Sequence, residues 1–297
     1  MKRIALVSLL LAPALGACMS EAQTARPASL TLSGVGHDNQ ALNNCGPVTA
    51  SVVLGYHGRK VTQAQAAAAL KDGPNDVEVS TQEVAAYLER QGLKTVIRYG
   101  GTPELLRALI AAKLPVVVQQ RLKDGDNTAH FRTVYGYSAQ GLTSSDSLLG
   151  AKLTHSEAQF EALWNYYNGE YLLAYPASRE ADVRRLLGRD WDEAANWTRL
   201  RDEMQARTRK GGATAFDWWG LGQARLALGQ PQDAAQAFDR AVQIGVPLQY
   251  HWYRQGALLA WNRTGQAERT REIAQRILAQ QPGIKEIEAL LAQANAD

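Results

Sequence analysis

Along the first half of the chain, apolar positions recur with two different periods, and the change of period separates a helical stretch from a strand-rich one. Ala50-Ser51-Val52-Val53-Leu54-Gly55-Tyr56 reads as a helix stopped by His57-Gly58, and Val61 to Leu70 as a second helix with Thr62 as its N-cap. Ser80-Thr81-Gln82-Glu83 carries the capping-box pattern, in which hydroxyl and carboxylate each satisfy a free backbone N–H, and it opens a third helix ending at Arg90-Gln91-Gly92. Thr95 to Tyr99 predicts a strand, and Thr102-Pro103-Glu104 starts a helix through Ala112. The run Leu114-Pro115-Val116-Val117-Val118-Gln119-Gln120 predicts a buried strand by its β-branched content. A polar loop, Lys123 to Asn127, separates it from further strands at His130 to Tyr137 and Gly141 to Asp146. Helices followed by clustered strands imply an α+β domain.

From about Arg179 the pattern becomes almost purely helical, rich in Ala, Gln, Arg and Leu. Trp218, Leu221 and Gly222, followed by Ala234, Phe238 and Ala241, fit the spacing of a tetratricopeptide repeat. Trp252 and Gly256 recur 34 positions after Trp218 and Gly222. A weaker unit surrounds Ala194, and in the second unit Glu268 and Glu272 replace the small and aromatic residues of the second helix, which reads as a capping helix; an unrelated helical bundle is the alternative. The expected division is therefore a signal segment at 1–18, a tether at 19–35, an α+β domain at 36–178 and an all-α, tetratricopeptide-like domain at 179–297.

Met1-Lys2-Arg3 before the apolar stretch Ile4 to Leu15 is a basic-then-apolar pattern too short for a permanent membrane span, and it reads as a secretory signal. Its end, Leu15-Gly16-Ala17-Cys18, resembles the lipobox of bacterial lipoproteins, in which the cysteine is lipidated and becomes the first mature residue; ordinary signal cleavage with loss of Cys18 is the alternative. Acyl chains on Cys18 would anchor the protein to a membrane on the exported side of a bacterial envelope. A net charge of +3, scattered along the chain, argues against a nucleic-acid partner. The remaining cysteine, Cys45, then has no intramolecular partner in an oxidising compartment.

Cys45 sits in Asn43-Asn44-Cys45-Gly46-Pro47, a breaker directly followed by an apolar helical run. A thiol at a helix N-terminus meets free backbone N–H groups and the positive end of the helix dipole, and both favour the nucleophilic thiolate. A buried, inert cysteine is the plainer reading. His130, in an otherwise apolar strand, would by default be a core histidine, yet Asp146 ends the next strand and could meet it. His57 lies at the far end of the first helix, His37 could serve only if the tether folded back, and His155 and His251 lack a cysteine or carboxylate context. No metal-ligand spacing occurs, and no metal or cofactor is expected.

Cys45-Gly46-Pro47, His130-Phe131 with Gly136-Tyr137, and Asp146 with Gly150 resemble, from about Asp38 to Tyr175, the bacteriocin-processing, double-glycine type of papain-like cysteine peptidase, especially its stand-alone bacterial relatives. The segments around Tyr56 to Thr62 and Ala112 to Val118, and Phe160 with Trp164, extend the resemblance; Ser147 departs from it where proline is usual. The resemblance implies a papain-like fold, Cys45 as nucleophile, His130 as base, Asp146 as its orienting acid, and an upstream glutamine as oxyanion-hole donor. Gln40 is the candidate for that donor, with Asn39 as the weaker one and simple loop polarity as the alternative.

The expected function is a membrane-anchored cysteine peptidase acting on a peptide or protein substrate through an acyl-enzyme, with the helical repeats recruiting a protein partner. No P-loop and no spanning helix after residue 18 resembles the transporter to which such leader peptidases are usually fused, so a double-glycine leader is not the expected substrate, and a peptide, an envelope protein and a peptidoglycan stem stay open. Acyl transfer to an amine, and a catalytically idle peptide-binding adaptor, are the competing readings.

Overall fold

In the computed structural model, which describes residues 26–73 and 76–296, the first half lays helices on both faces of an antiparallel sheet. The elements are β1 (Leu30–Thr31), α1 (Cys45–Tyr56), α2 (Gln63–Leu70), α3 (Thr81–Arg90), β2 (Lys94–Arg98), α4 (Pro103–Ala111), β3 (Val116–Arg121), β4 (Ala129–Ser138), β5 (Gly141–Asp146), β6 (Gly150–His155), α5 (Glu157–Trp164) and β7 (Tyr171–Tyr175). The strand order is β2-β7-β3-β4-β5-β6, with β1 beside β4. Local chemistry starts the helices as expected: Thr62, Ser80 and Ser156 each close a capping box, and Thr102 caps α4 ahead of Pro103.

The two-residue period of β3 explains its unbroken valine run. Val117 packs with Phe131, Leu172 and residues of α1 to α3, while Val116 and Val118 join Leu106, Phe160, Trp164 and Leu173 on the opposite face. Both faces are covered, so alternation with polar residues is not needed.

Two expected boundaries shift. Leu30 and Thr31 pair with Tyr137 and Gly136, the Leu32 N–H donates to the Tyr135 carbonyl (2.9 Å), and Leu32 is buried, so the chain enters the sheet within the segment assigned to a tether. Two residues of strand are too short to leave a periodic signature. The second boundary, at 178/179, does not separate the cores: in α6 (Glu180–Leu187), Val183 and Leu187 are part of the first core.

The remainder is helical: α7 (Glu193–Arg209), α8 (Ala215–Ala227), α9 (Pro231–Ile244), α10 (Tyr250–Tyr253), α11 (Gly256–Arg263), α12 (Ala267–Gln280) and α13 (Lys285–Ala296). Phe238 of α9 is fully buried against Gly222 and Gly256. A Cβ at Gly222 would come within 2.8 Å of its ring, and one at Gly256 within 3.1 Å. The 34-residue echo is not matched in helix continuity. Trp252 ends up in the single turn α10 and Gly256 opens α11, because the backbone is extended at Arg254 (φ −143°, ψ 89°). The weak unit at Ala194 has no such packing, since Ala194 is exposed where Ala234 is buried. Among the described residues no helix is long and apolar enough to cross a membrane; the signal segment and Cys18 lie outside them.

Buried contacts tie the helical part to the sheet. Asn196 brackets Tyr99, accepting its N–H (3.1 Å) and donating to its carbonyl (3.0 Å). The Tyr250 hydroxyl donates to the Tyr166 carbonyl (2.7 Å), and Arg254 forms a buried ion pair with Glu170.

Candidate active site

Cys45 is the first residue of α1. Asn43 takes a left-handed conformation (φ 59°), which short polar side chains tolerate, and turns the chain into the helix. Asn44 makes no side-chain cap and the first turn holds no acidic residue, so the helix N-terminus stays electropositive beside the thiol. Gly46 lets this start press onto Val79, whose Cβ would lie 2.9 Å from a Cβ at that position. The entering loop is held from α2: Gln63 Oε1 accepts the Ala41 N–H (2.6 Å) and the Asn44 amide (3.1 Å), while Gln63 Nε2 donates to Asp38 (3.2 Å) and the Asn39 carbonyl (3.0 Å).

His130, near the start of β4, is 2% exposed, and its Nε2 lies 2.9 Å from Asp146 Oδ1 at the end of β5. That leaves Nδ1 as the ring nitrogen available to the Cys45 thiol, which lines the same cleft. Asp146, 0% exposed, is saturated: Oδ1 also accepts the N–H groups of Leu148 (2.8 Å) and Leu149 (2.9 Å), and Oδ2 accepts Arg132 Nε (2.7 Å). Arg132 spends its other donors on Gln120 Oε1 and the carbonyls of Arg121 and Leu122. The acid is therefore clamped between two cations and a turn, and the imidazole has one orientation.

Electrostatics follow from this clamp. Burial pushes the Cys45 thiol up, but the hydrogen bond and charge of His130, with the N–H groups of Phe131 and Gly46, outweigh it and hold the thiol below its ordinary value. Burial pushes His130 down, yet the bonds to Asp146 and Cys45 raise it to about 9. Burial likewise opposes ionisation of Asp146, and the bond to His130, the charges of His130 and Arg132 and the Leu148 N–H together hold its carboxyl well below the usual range. The arrangement favours a thiolate beside an imidazolium near neutral pH.

Gln40 lines the same cleft as Cys45 and His130, an opening of about 260 Å³. Its backbone N–H donates to the Ser147 carbonyl (3.1 Å), and its Oε1 accepts the Ser147 hydroxyl (2.7 Å). Fixing the oxygen leaves the amide NH₂ as the free end of the side chain. Asn39, by contrast, is exposed and engaged with His37 (3.3 Å). The other histidines stand apart: His57 meets the Ala174 carbonyl (3.1 Å), His37 meets Ser145 (3.2 Å), His155 lies on β6, and His251 is buried against Trp219 and Trp261. Among the described residues no group of three or more His, Cys, Asp or Glu is placed to hold a metal ion.

Four site residues escape the sequence pattern: Gln63, Arg132, Ser147 and Tyr253, the last of which lines the cleft from the helical half. Arg132 left a signal, a charged residue inside a strand otherwise apolar enough to be buried.

Residues 30–172 match the family model described as Peptidase_C39 like family. No curated protein matches the chain. Among solved structures, a double glycine motif protease from an AMS/PCAT transporter, in complex with the leader peptide, is 20% identical, over 48% of this chain and 91% of its own, with a TM-score of 0.37. The peptidase domain of Streptococcus ComA, a bi-functional ABC transporter involved in a quorum sensing pathway, is 17% identical over 47% and 96%, with a TM-score of 0.40. A C39-like peptidase from Bacillus anthracis is 16% identical over 49% and 96%, also with a TM-score of 0.40. The first half of this chain is an α/β domain with an antiparallel sheet that is similar to the C39-like peptidase family, and the rest is helical.

Proposed function

We propose that the protein is a cysteine peptidase in which Cys45 attacks, His130 transfers protons and Asp146 orients His130. The observation that carries this reading is the 2.9 Å His130–Asp146 hydrogen bond in the same cleft as the Cys45 thiol, which opens a helix, in a part of the chain that matches a peptidase family. The Cys45 thiolate adds to the scissile carbonyl, and the developing oxyanion faces the Gln40 amide and the Cys45 backbone N–H. The C–N bond breaks as His130 gives its proton to the leaving amine, which departs. Water then loses a proton to His130 and attacks the acyl-enzyme, releasing the carboxylic acid and restoring the thiolate. Arg132 acts through Asp146 as a positioning residue.

In this reading the chain is exported and anchored through lipid on Cys18, as the pattern Leu15-Gly16-Ala17-Cys18 suggests. The peptidase unit occupies about 36–178, entered from Leu30, and a tetratricopeptide-like unit follows to 297. The buried Phe238 between Gly222 and Gly256, and the recurrence of Trp and Gly after 34 positions, support the repeat reading. Iodoacetamide at pH 6, with the modified residue located by peptide mapping, tests the nucleophile. Cys45 is expected to react much faster than an ordinary thiol, and His130→Ala to lose that advantage; an equally slow native Cys45 would refute the peptidase assignment.

A further inference from the structure

One wall of the Cys45 cleft comes from outside the peptidase-like segment. At Arg254 the chain leaves its helical course, and the side chain turns inward to pair with Glu170 and to donate to Gln119 on β3, while lying over the Tyr167 ring at 5.5 Å. Both ends of that ion pair are buried, so breaking it would strand a charge in the interior. The preceding residue, Tyr253, is thereby held in the cleft, which Ala129 and His130 line from β4. Val79 and Leu148 line the same space, and Leu42 stands at its rim. Leu42 is 86% and Leu148 50% exposed, which is costly for large aliphatic side chains unless something covers them. Apart from the reacting pair, the one ionisable carboxyl in this lining is Glu78, which burial and the nearby Glu286 and Glu83 push toward its neutral form.

We infer that Tyr253 is a specificity-determining residue. With Leu42, Leu148 and Val79 it forms a subsite for aliphatic side chains of an extended peptide crossing Cys45, and the helical half is one bank of the substrate cleft. The inference rests on the peptidase reading of Cys45. It explains why the chain breaks between α10 and α11 where the 34-residue period calls for a continuous helix: the break delivers Tyr253 to the cleft and Arg254 to its anchor.

The test compares inactivation of Cys45 in the full chain by acetyl-Leu-Leu-Ala-chloromethyl ketone and acetyl-Gln-Gln-Ala-chloromethyl ketone, each rate divided by that of iodoacetamide, which needs no subsite. The leucyl reagent is expected to be faster by about tenfold or more. That ratio should collapse toward one in Tyr253→Ala and survive in Tyr253→Phe. A ratio unchanged in Tyr253→Ala overturns the inference. Should Tyr253→Ala melt below the native chain, Leu42→Gln at its exposed position gives the same reading, and an unchanged ratio there overturns it equally. A native Cys45 slow toward iodoacetamide removes the peptidase reading instead, whereas a fast one with no leucyl preference removes the subsite alone.

Discussion

His130 carries two opposing requirements, since it must be charged to protonate a leaving amine and uncharged to activate water, and the clamp on Asp146 decides where it changes form. With His130 raised to about 9 and Cys45 lowered, peptide hydrolysis should fall as pH rises through about 9, because the imidazolium is lost. Alkylation of Cys45, which needs the thiolate alone, should not fall over that range. Parallel pH profiles of the two reactions check this, and a shared decline above 9 would contradict the assignment. Gln40→Ala should lower kcat by roughly 10²–10³-fold with little change in KM, as for loss of an oxyanion donor. Ser147→Ala should lower kcat in the same direction but by less, since it frees the Gln40 amide to rotate without removing it. Ser147→Thr, which keeps the hydroxyl, should recover most of that loss in steady-state kinetics.

Helix α1 and strands β4 and β5 make the site because three elements end or begin at one place, each for a local reason: Gly46 for close approach, the Asp146 turn for the β5–β6 connection, and His130 for the start of β4. In the helical half, α8, α9 and α11 meet at Phe238. Removing that ring leaves a cavity that two glycine backbones cannot collapse to fill. Phe238→Ala is accordingly expected to destabilise the helical part by roughly 3–5 kcal/mol, read as a lowered Tm or denaturation midpoint. An unchanged midpoint would remove the tight α8–α9–α11 junction from the account.

Across the molecule, the Arg254–Glu170 pair couples the helical half to the sheet. Arg254→Met keeps the apolar stem but leaves Glu170 buried without its cation, and about 3–5 kcal/mol of stability should be lost. The loss should appear in calorimetry as an effect on the whole transition, not on the helical half alone; two well-separated transitions would show that the halves fold independently. Cys18→Ser is expected to release the protein from membranes after a high-salt wash without changing its melting curve, and retention on the membrane would exclude lipid attachment at that residue.

The helix starts at Thr62, Ser80 and Thr102 were legible in the chain because capping acts over three or four residues, and the valine run of β3 because its burial is continuous. The contexts of Cys45, His130 and Asp146 were equally visible, since a breaker before a helix and a histidine and an acid in adjacent strands are local patterns. Arg132 and Gln63 were not, because each works by reaching across to another element, and a side chain's partner is set by packing and not by its neighbours in sequence. The same holds for the break at Arg254. Local periodicity favours a continuous helix there, but the buried carboxylate of Glu170 needs a cation and the amide oxygen of Gln119 a donor, and the break lets Arg254 supply both. That competition exists only once the two halves are packed together.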